Sequence, residues 1–333
     1  MTHRNLVLAG DIGGTKTNLA IFSIHGEKLR SETFRSFPSK RYVGLEPVLQ
    51  DFLSGNKQAI DSACFGIAGP VVDGKVKTPN LPWMVDGSGL SRCLKLSSVS
   101  LLNDLEATAY GIFTLENEEF HALNKGTMRH SGNKALIAAG TGLGQAILYD
   151  DGRHFRPLAS EGGHADFAPR NDLEIELLHH LIDRFGHVSY ERVLSGPGFF
   201  NIYRFLKESR GFEEPQWLTE RLSSGDDPSA VVAKAALANE AAICVEALEL
   251  FVSLYGAEAG NLALRAKSVR GLYVGGGIAP KILPKLKDGT FMRAFQDKGR
   301  YTDLLSAIPV QVILNEQTAL RGAAYYAAFL AAA

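Results

Sequence analysis

What this chain lacks narrows its chemistry before any motif is read. Its 333 residues hold only three cysteines, Cys64, Cys93 and Cys244, far apart and in no Cys-x-x-Cys spacing. Neither a disulfide framework nor a cysteine zinc site is written here, and the three read as buried thiols of a reducing compartment. No apolar run approaches the roughly 18 residues of a membrane helix. The N-terminal run Leu6-Val7-Leu8-Ala9 is closed by Asp11, too short for the core of a secretory signal, which needs about 7–15 residues. A cytoplasmic protein with no membrane partner is expected. Charge of one sign is missing too: 35 Lys and Arg against 36 Asp and Glu leave a net charge of -1, so there is no basic field to bind nucleic acid. A proline-rich or low-complexity tether is also absent. The length suits about two domains, and without a tether these should share a cleft.

What is present is a pair of glycine-threonine turns. Asp11-Ile12-Gly13-Gly14-Thr15 lies between Leu6-Val7-Leu8-Ala9 and Leu19-Ala20-Ile21-Phe22, and Gly140-Thr141-Gly142-Leu143-Gly144 lies between Ala135-Leu136-Ile137-Ala138 and Gln145-Ala146-Ile147-Leu148. Either turn alone is explained by a tight hairpin that needs glycine. Two of them, with threonines at matched positions, point to an internal duplication in which each half offers backbone N–H groups to part of one nucleotide. Glycine lets the backbone approach phosphate oxygens, threonine adds a neutral donor, and an aspartate ending a strand, here Asp11, can hold Mg2+ through water. This is not a P-loop, because no Gly-Lys-Ser/Thr follows at the required spacing. Nor is it a dinucleotide fingerprint, because Gly14 opens a strand and not a helix.

The patterning predicts strands over 6–9, 19–24 and 32–37, a helix over 45–53 with Pro47 in its first turn, a buried strand over 63–67, a short helix over 90–94 and a strand over 99–102. Asn103-Asp104 follows that strand, with a helix over 105–113 behind it. Asp104 thus stands at the carboxyl end of a strand, where open α/β sheets bind ligands. The second portion predicts helices over 172–185 and 199–208, one long helix from about 228 to 254, and strands over 271–274 and 310–314. The alanine-rich segment 316–330 is helical by propensity and should pack back on the first domain. The expected class is α/β, with 1–114 plus 317–333 as the smaller domain and 115–316 as the larger.

Asp104 is the candidate base. An aspartate in this position, beside Asn103, also reads as a helix cap. A hydroxyl attacking a phosphoryl group needs a carboxylate within hydrogen-bond reach, and the transferring group needs a metal and backbone donors. Asp104 supplies the first and the turns the second. Sugars are read by amides and carboxylates, for which Asn80, Asn103, Asp104, Glu161, His164 and Glu191 are the candidates. Glu161 and His164 flank Gly162-Gly163. A metal site is their other reading, but no cysteine or second histidine sits at ligand spacing. Gly275-Gly276-Gly277, after Leu272-Tyr273-Val274, reads either as a flexible turn or as the floor under a nucleotide's base and ribose. Ser195-Gly196-Pro197-Gly198 reads as a helix entry, His179-His180 as a solvated helix face, and Lys16 as an exposed hairpin lysine.

Together these motifs resemble the bacterial glucokinase family, hexose kinases of the two-lobed actin-like ATPase (ribonuclease H-like) fold, with a cleft between a smaller and a larger domain. The resemblance is carried in order by Gly10-Asp11-Ile12-Gly13-Gly14-Thr15, Leu102-Asn103-Asp104, Ala139-Gly140-Thr141-Gly142-Leu143-Gly144, the run from Glu161-Gly162-Gly163-His164 to Pro169, Glu191-Arg192-Val193-Leu194-Ser195-Gly196-Pro197-Gly198, and Gly275-Gly276-Gly277-Ile278. It implies ATP- and Mg2+-dependent phosphorylation of glucose at its 6-hydroxyl and a homodimer. Asp104 would be the base, Asn103, Glu161, His164 and Glu191 sugar ligands, and Gly10 through Thr15, Thr141, Gly142 and Gly275 through Gly277 the nucleotide's contacts. The related branch of kinases and sugar-responsive repressors carries a cysteine-rich zinc motif after its counterpart of His164. Here no cysteine follows until Cys244, and the chain starts at its first strand without a DNA-binding domain ahead of it, so the zinc-free branch is expected. A kinase for another hexose or amino sugar, and a non-catalytic sugar sensor of the same fold, are the alternatives.

Overall fold

Alternating apolar residues in the first segments build a five-stranded sheet with two buried faces. The computed structural model describes residues 5–55 and 59–331. The strands β1 (Leu6–Ile12), β2 (Lys16–His25) and β3 (Lys28–Pro38) form an antiparallel meander, and after helix α1 (Leu45–Leu53) the strand β4 (Ser62–Ile67) pairs parallel to β1. A small three-stranded sheet follows, made of β5 (Val71–Val72), β6 (Lys75–Lys77) and β7 (Met84–Asp86), then helix α2 (Gly87–Leu94). Finally β8 (Ser100–Asn103) adds parallel to β4 and runs into helix α3 (Asp104–Gly111), giving the order β3-β2-β1-β4-β8.

Period-two alternation divides β1 between two cores. Leu6, Leu8 and Ile12 face Phe65, Ile67 and the apolar stripe Leu45, Val48, Leu49 and Phe52 of α1. Val7 and Ala9 join Ala20, Cys64, Ala107 of α3, and Leu320, Ala323, Ala324 and Ala327 of the C-terminal helix α12 (Thr318–Phe329). Small residues on this second side let the helix backbones touch. A Cβ at Gly322 would lie 1.7 Å from the Ala107 carbonyl oxygen, so α12 and α3 meet where only glycine fits.

Close contacts divide the chain into two compact units, Met1–Glu119 with Asn315–Ala333, and Phe120–Leu314. The second unit repeats the arrangement of the first. Its strands β10 (Lys134–Ala139), β11 (Leu143–Asp150) and β12 (Phe155–Ser160) form an antiparallel meander, while β13 (Leu272–Gly275) and β14 (Val310–Ile313) add parallel on the other side of β10. The edge strand β9 (Phe120–Asn124) completes the order β12-β11-β10-β13-β14-β9. Between β12 and β13 the chain is helical: α4 (Asp172–Phe185), α5 (Gly196–Ser209), α6 (Gln216–Leu222), α7 (Pro228–Leu237) and α8 (Ala242–Ala266). The short helices α9 (Leu283–Leu286), α10 (Thr290–Gln296) and α11 (Thr302–Ser306) lead to β14. Ala135, Ile137, Leu272, Val274, Val310 and Val312 present one sheet face to a core shared with α5, α7, α8 and α10.

Three sequence expectations are corrected here. The single helix expected over 228–254 is two helices. Asn239 takes φ 54°, a left-handed conformation that a short polar side chain tolerates, and Ala241 is extended as it enters α8. Cys64 and Cys244 are buried, but Cys93 on α2 is exposed. His180 is not on a solvated face: its side chain is only 12% exposed, it packs edge-on against Phe205, and its Nδ1 hydrogen-bonds the Ser209 hydroxyl. Among the described residues no helix is long and apolar enough to cross a membrane.

Candidate active site

In the first unit the chemistry gathers at the carboxyl ends of β1 and β8. The turn after β1 is closed by Gly13 N–H donating to the Lys16 carbonyl at 2.9 Å, and the Ser39 hydroxyl donates to the Gly13 carbonyl at 2.8 Å. This holds Asp11 at the end of its strand. The Asn18 amide donates to Asp11 Oδ2 at 3.4 Å. Burial pushes the Asp11 carboxyl up to about 6, the Asn18 bond opposes the rise, and the charge of nearby Asp104 adds to it. Asp11 and Asp104 are therefore close enough to sense each other. Gly14 abuts Asn80, because a Cβ on this glycine would lie 2.7 Å from Asn80 Cβ. Thr15 and Lys16 are exposed.

Between the two readings of the Asn103-Asp104 pair, the cap falls to Asn103. Its Oδ1 accepts the Leu105 N–H at 2.9 Å, Glu106 reaches back to the Asn103 N–H at 3.0 Å, and its amide donates to the Gly69 carbonyl at 3.0 Å. This reciprocal arrangement fixes the start of α3. Asp104 is the first residue of the helix, with one oxygen, Oδ1, accepting from its neighbour's Leu105 N–H at 2.9 Å. Gly10 and Ile12 are buried in β1. Gly10 makes room for the Phe65 ring, which would come within 2.4 Å of a Cβ there, and the Ile12 side chain is part of the core.

The second unit brings the remaining candidates to two neighbouring places. Glu161 and His164 bracket one short turn, closed by the His164 N–H donating to the Glu161 carbonyl at 2.9 Å. Glu191 sits on a second turn, and its Oε2 accepts the Leu143 N–H at 2.9 Å. A Cβ at Gly142 would lie 2.5 Å from that same oxygen, so the glycine of the second glycine-threonine turn admits the Glu191 carboxylate. Thr141 and Gly277 line a cavity of about 600 Å³, with Gly196, Pro197, Ser229 and Ile278. Gly275 ends β13, and Gly276 takes φ 81° with no space for a Cβ beside the Ala139 carbonyl. Neither glycine lines the cavity.

Sequence reasoning missed part of this wall. Ser195-Gly196-Pro197-Gly198 caps α5, since Ser195 Oγ accepts the Gly198 N–H at 2.9 Å, and it also borders the cavity. Asp227, Pro228 and Ser229 at the start of α7 border it from another side. The Gly196 N–H donates to the Gly140 carbonyl at 2.8 Å and the Ser229 hydroxyl to the Gly196 carbonyl at 2.6 Å, which locks the three loops together. The run of glycine and proline before an aromatic helix was a usable signal at 196–200, but nothing near 227 marks its approach in sequence.

With this geometry in place, comparison with known proteins is decisive. The family model described as Glucokinase matches residues 8–329. The chain belongs to the glucokinase family. A curated glucokinase of Nostoc sp. is 42% identical over 98% of this chain and 99% of its own length. The crystal structure of a glucokinase from an Antarctic psychrotroph superposes with a TM-score of 0.85 at 28% identity, covering 97% of this chain and 99% of that one. A glucokinase of Streptomyces griseus from the ROK family, solved with glucose and AMPPNP, matches with a TM-score of 0.66 at 20% identity over 97% of this chain and 99% of that one, a likeness of fold. As a glucokinase-family protein with the actin-like ATPase fold, the chain carries the Asp11 and Asp104 pair in one unit and the glycine-lined cavity of about 600 Å³ in the other.

Among the described residues no three His, Cys, Asp or Glu side chains converge as a metal cage. Magnesium does not need one, because it takes one or two carboxylates and fills its remaining positions with phosphate oxygens and water. The Asp11 donor set fits that use: a buried carboxyl raised by burial and a second carboxylate lacks the positive charge that a cation provides.

Proposed function

We propose that this protein transfers the γ-phosphoryl group of ATP to the 6-hydroxyl of glucose, giving glucose 6-phosphate and ADP, with Asp104 as general base. The observation that carries the assignment is the pair of carboxylates, Asp11 and Asp104, at the carboxyl ends of two parallel strands separated by β4, where the charge of Asp104 raises the proton affinity of Asp11.

Asp104 accepts the proton of the sugar hydroxyl as its oxygen forms the new bond to phosphorus and the bond from phosphorus to the ADP oxygen breaks. Its place as first residue of α3, behind a completed cap, holds the carboxylate on a rigid element. Asp11 is the residue to hold Mg2+ through water, and when bound the cation spreads charge from the phosphate oxygens. Gly14 and Thr15 of the first turn and Thr141 and Gly142 of the second offer N–H and hydroxyl donors to the phosphates, while Gly13, whose N–H closes the first turn, lets the backbone approach them. The apolar cavity beside Gly277 and Ile278 suits a purine and ribose, with Phe199 and Phe200 in its wall. Asn80, Asn103, Glu161, His164 and Glu191 are the sugar's hydrogen-bonding partners.

A coupled assay for glucose 6-phosphate, with glucose omitted as control, tests the activity. Glucose-dependent product from the wild type, lost in Asp104→Asn, is the expected result. Glucose-independent ADP release would overturn it.

A further inference from the structure

Helix α8 carries a carboxylate that the proposed chemistry does not use. Glu258 is completely buried, and a charge so placed persists only when its lone pairs are filled. Its Oε1 accepts from Gln145 Nε2 at 2.8 Å and from the Arg265 guanidinium, and its Oε2 accepts from Asn261 Nδ2 at 2.9 Å. The Tyr190 hydroxyl is hydrogen-bonded to the same carboxylate. Burial, then the charge of Glu258, pushes that hydroxyl up to about 12, so it stays protonated as a donor. Asn261 Nδ2 also reaches the Tyr190 oxygen at 3.0 Å, and Lys298 Nζ donates to Asn261 Oδ1 at 2.8 Å.

Two of these partners lead directly to sugar ligands. Gln145 is buried beneath the Glu161–His164 turn. Its Oε1 would stand 2.7 Å from a Cβ on Gly162, and its carbonyl accepts the Ser160 hydroxyl at 2.9 Å on the strand entering that turn. Tyr190 precedes Glu191 and opens the turn that carries it. Its N–H donates to the Ala165 carbonyl at 2.9 Å, and its carbonyl accepts the Leu194 N–H at 2.7 Å. The Tyr190 ring meets Phe167 edge-on at 5.7 Å, so both turns share this base. We infer that Glu258 is a positioning residue for the sugar site, holding Gln145 beneath one turn and Tyr190 at the head of the other so that Glu161, His164 and Glu191 are presented as a set.

The inference rests on the proposed reading of those three residues as sugar ligands. Glu258→Gln keeps the volume but sets an NH2 group against the Gln145 and Arg265 donors in one amide orientation or against the Asn261 donor in the other. Tyr190→Phe deletes one hydroxyl and leaves the ring packing. Both are measured by glucose titration in calorimetry and by steady-state kinetics, with thermal melting alongside. The expected result is a glucose Kd and KM raised about tenfold in Glu258→Gln and about threefold in Tyr190→Phe, with the KM for ATP within about twofold of wild type. The double variant should be no worse than Glu258→Gln alone, since both act through one network. If Glu258→Gln fails to fold, Tyr190→Phe decides. Unchanged glucose affinity in a folded variant, or glucose and ATP constants that rise together, overturns the positioning role. A wild type that binds glucose but forms no sugar phosphate overturns the proposed reaction instead, and the calorimetric arm still reads the network.

Discussion

The two units use one strand arrangement for different ends. In each, an antiparallel meander is continued by two parallel strands, in the orders β3-β2-β1-β4-β8 and β12-β11-β10-β13-β14. Ile12 pairs with Thr17 at the tip of the first hairpin, as Ala139 pairs with Leu143 at the tip of the second. One residue earlier stand Asp11 in β1 and Ala138 in β10, and directly after β8 and β14 stand Asp104 and Leu314. Equivalent strand ends thus carry two carboxylates in the first unit and two apolar side chains in the second. What the second unit gains is a cavity of about 600 Å³ walled by Phe199, Phe200, Ile278 and glycine-rich loops. Under the proposed function this divides a repeated scaffold: one copy carries the charge needed at a reacting centre, and the other the apolar volume needed by a base.

The sharpest break of that contrast is Asp104→Asn. Removing the base while preserving the shape and the cap should lower kcat on the order of 100-fold or more, with ATP affinity nearly unchanged because the cavity lies wholly in the second unit. Single-turnover phosphoryl transfer measured beside calorimetric ATP binding checks both halves. A variant with near-normal turnover would move the catalytic carboxylate elsewhere.

How far the sequence revealed this division depended on whether the signal was local. The turns at 13–15 and 140–142, Asp104 at a strand end and the strand runs around them are written in contiguous residues, and each appears where its pattern placed it. The break between α7 and α8 was hidden because Ala235, Ala236, Ala238, Ala241 and Ala242 all favour helix. Only the left-handed Asn239 interrupts them, and asparagine weakens a helix far less than glycine or proline does. The cavity wall at 227–229 and the Glu258 network join residues far apart in the chain, 113 positions in the case of Gln145 and Glu258, and no period or motif reports such a meeting. Asp104 was legible as a base or as a cap and Asn103 as a ligand, and only coordinates give the cap to Asn103.

The next effect tests the helix layer beneath the catalytic unit. Gly322→Ala drives a methyl group into the Ala107 carbonyl and should cost about 2 kcal/mol, within the range for overpacking a tight contact. Gly277→Ala in the second unit meets nothing within 4 Å and should leave the melting temperature in place. Equal destabilisation by the two would show that the close contact of α3 with α12 is not special.

Filling the cavity tests the second unit. Ala230 lines it and is exposed, so Ala230→Trp can occupy the volume without disturbing the core. The KM for ATP should rise about tenfold, equivalent to some 1.4 kcal/mol of lost binding, while the KM for glucose stays put. A rise confined to glucose would reverse the assignment of the two substrates.

The smallest effect is the most particular, because it sets stability and activity against each other through one side chain. Asp11 has a folded value of about 6 against an ordinary 3.8. Between those values the folded protein holds a proton that the unfolded chain has released, so this group makes stability fall as pH rises from about 4 to 6 and leaves it at its lower level above that. Activity runs the other way, since only the ionised carboxylate can serve a water-bound Mg2+. For a single titration at this value, kcat/KM for ATP at a fixed Mg2+ concentration below saturation should fall about twofold from pH 7 to 6 and approach tenfold per unit below that. Thermal melting of the ligand-free protein over the same range should show the opposite slope, and Asp11→Asn should flatten it. Parallel slopes would mean that some other group governs both, and the buried carboxylate would lose its place beside the metal.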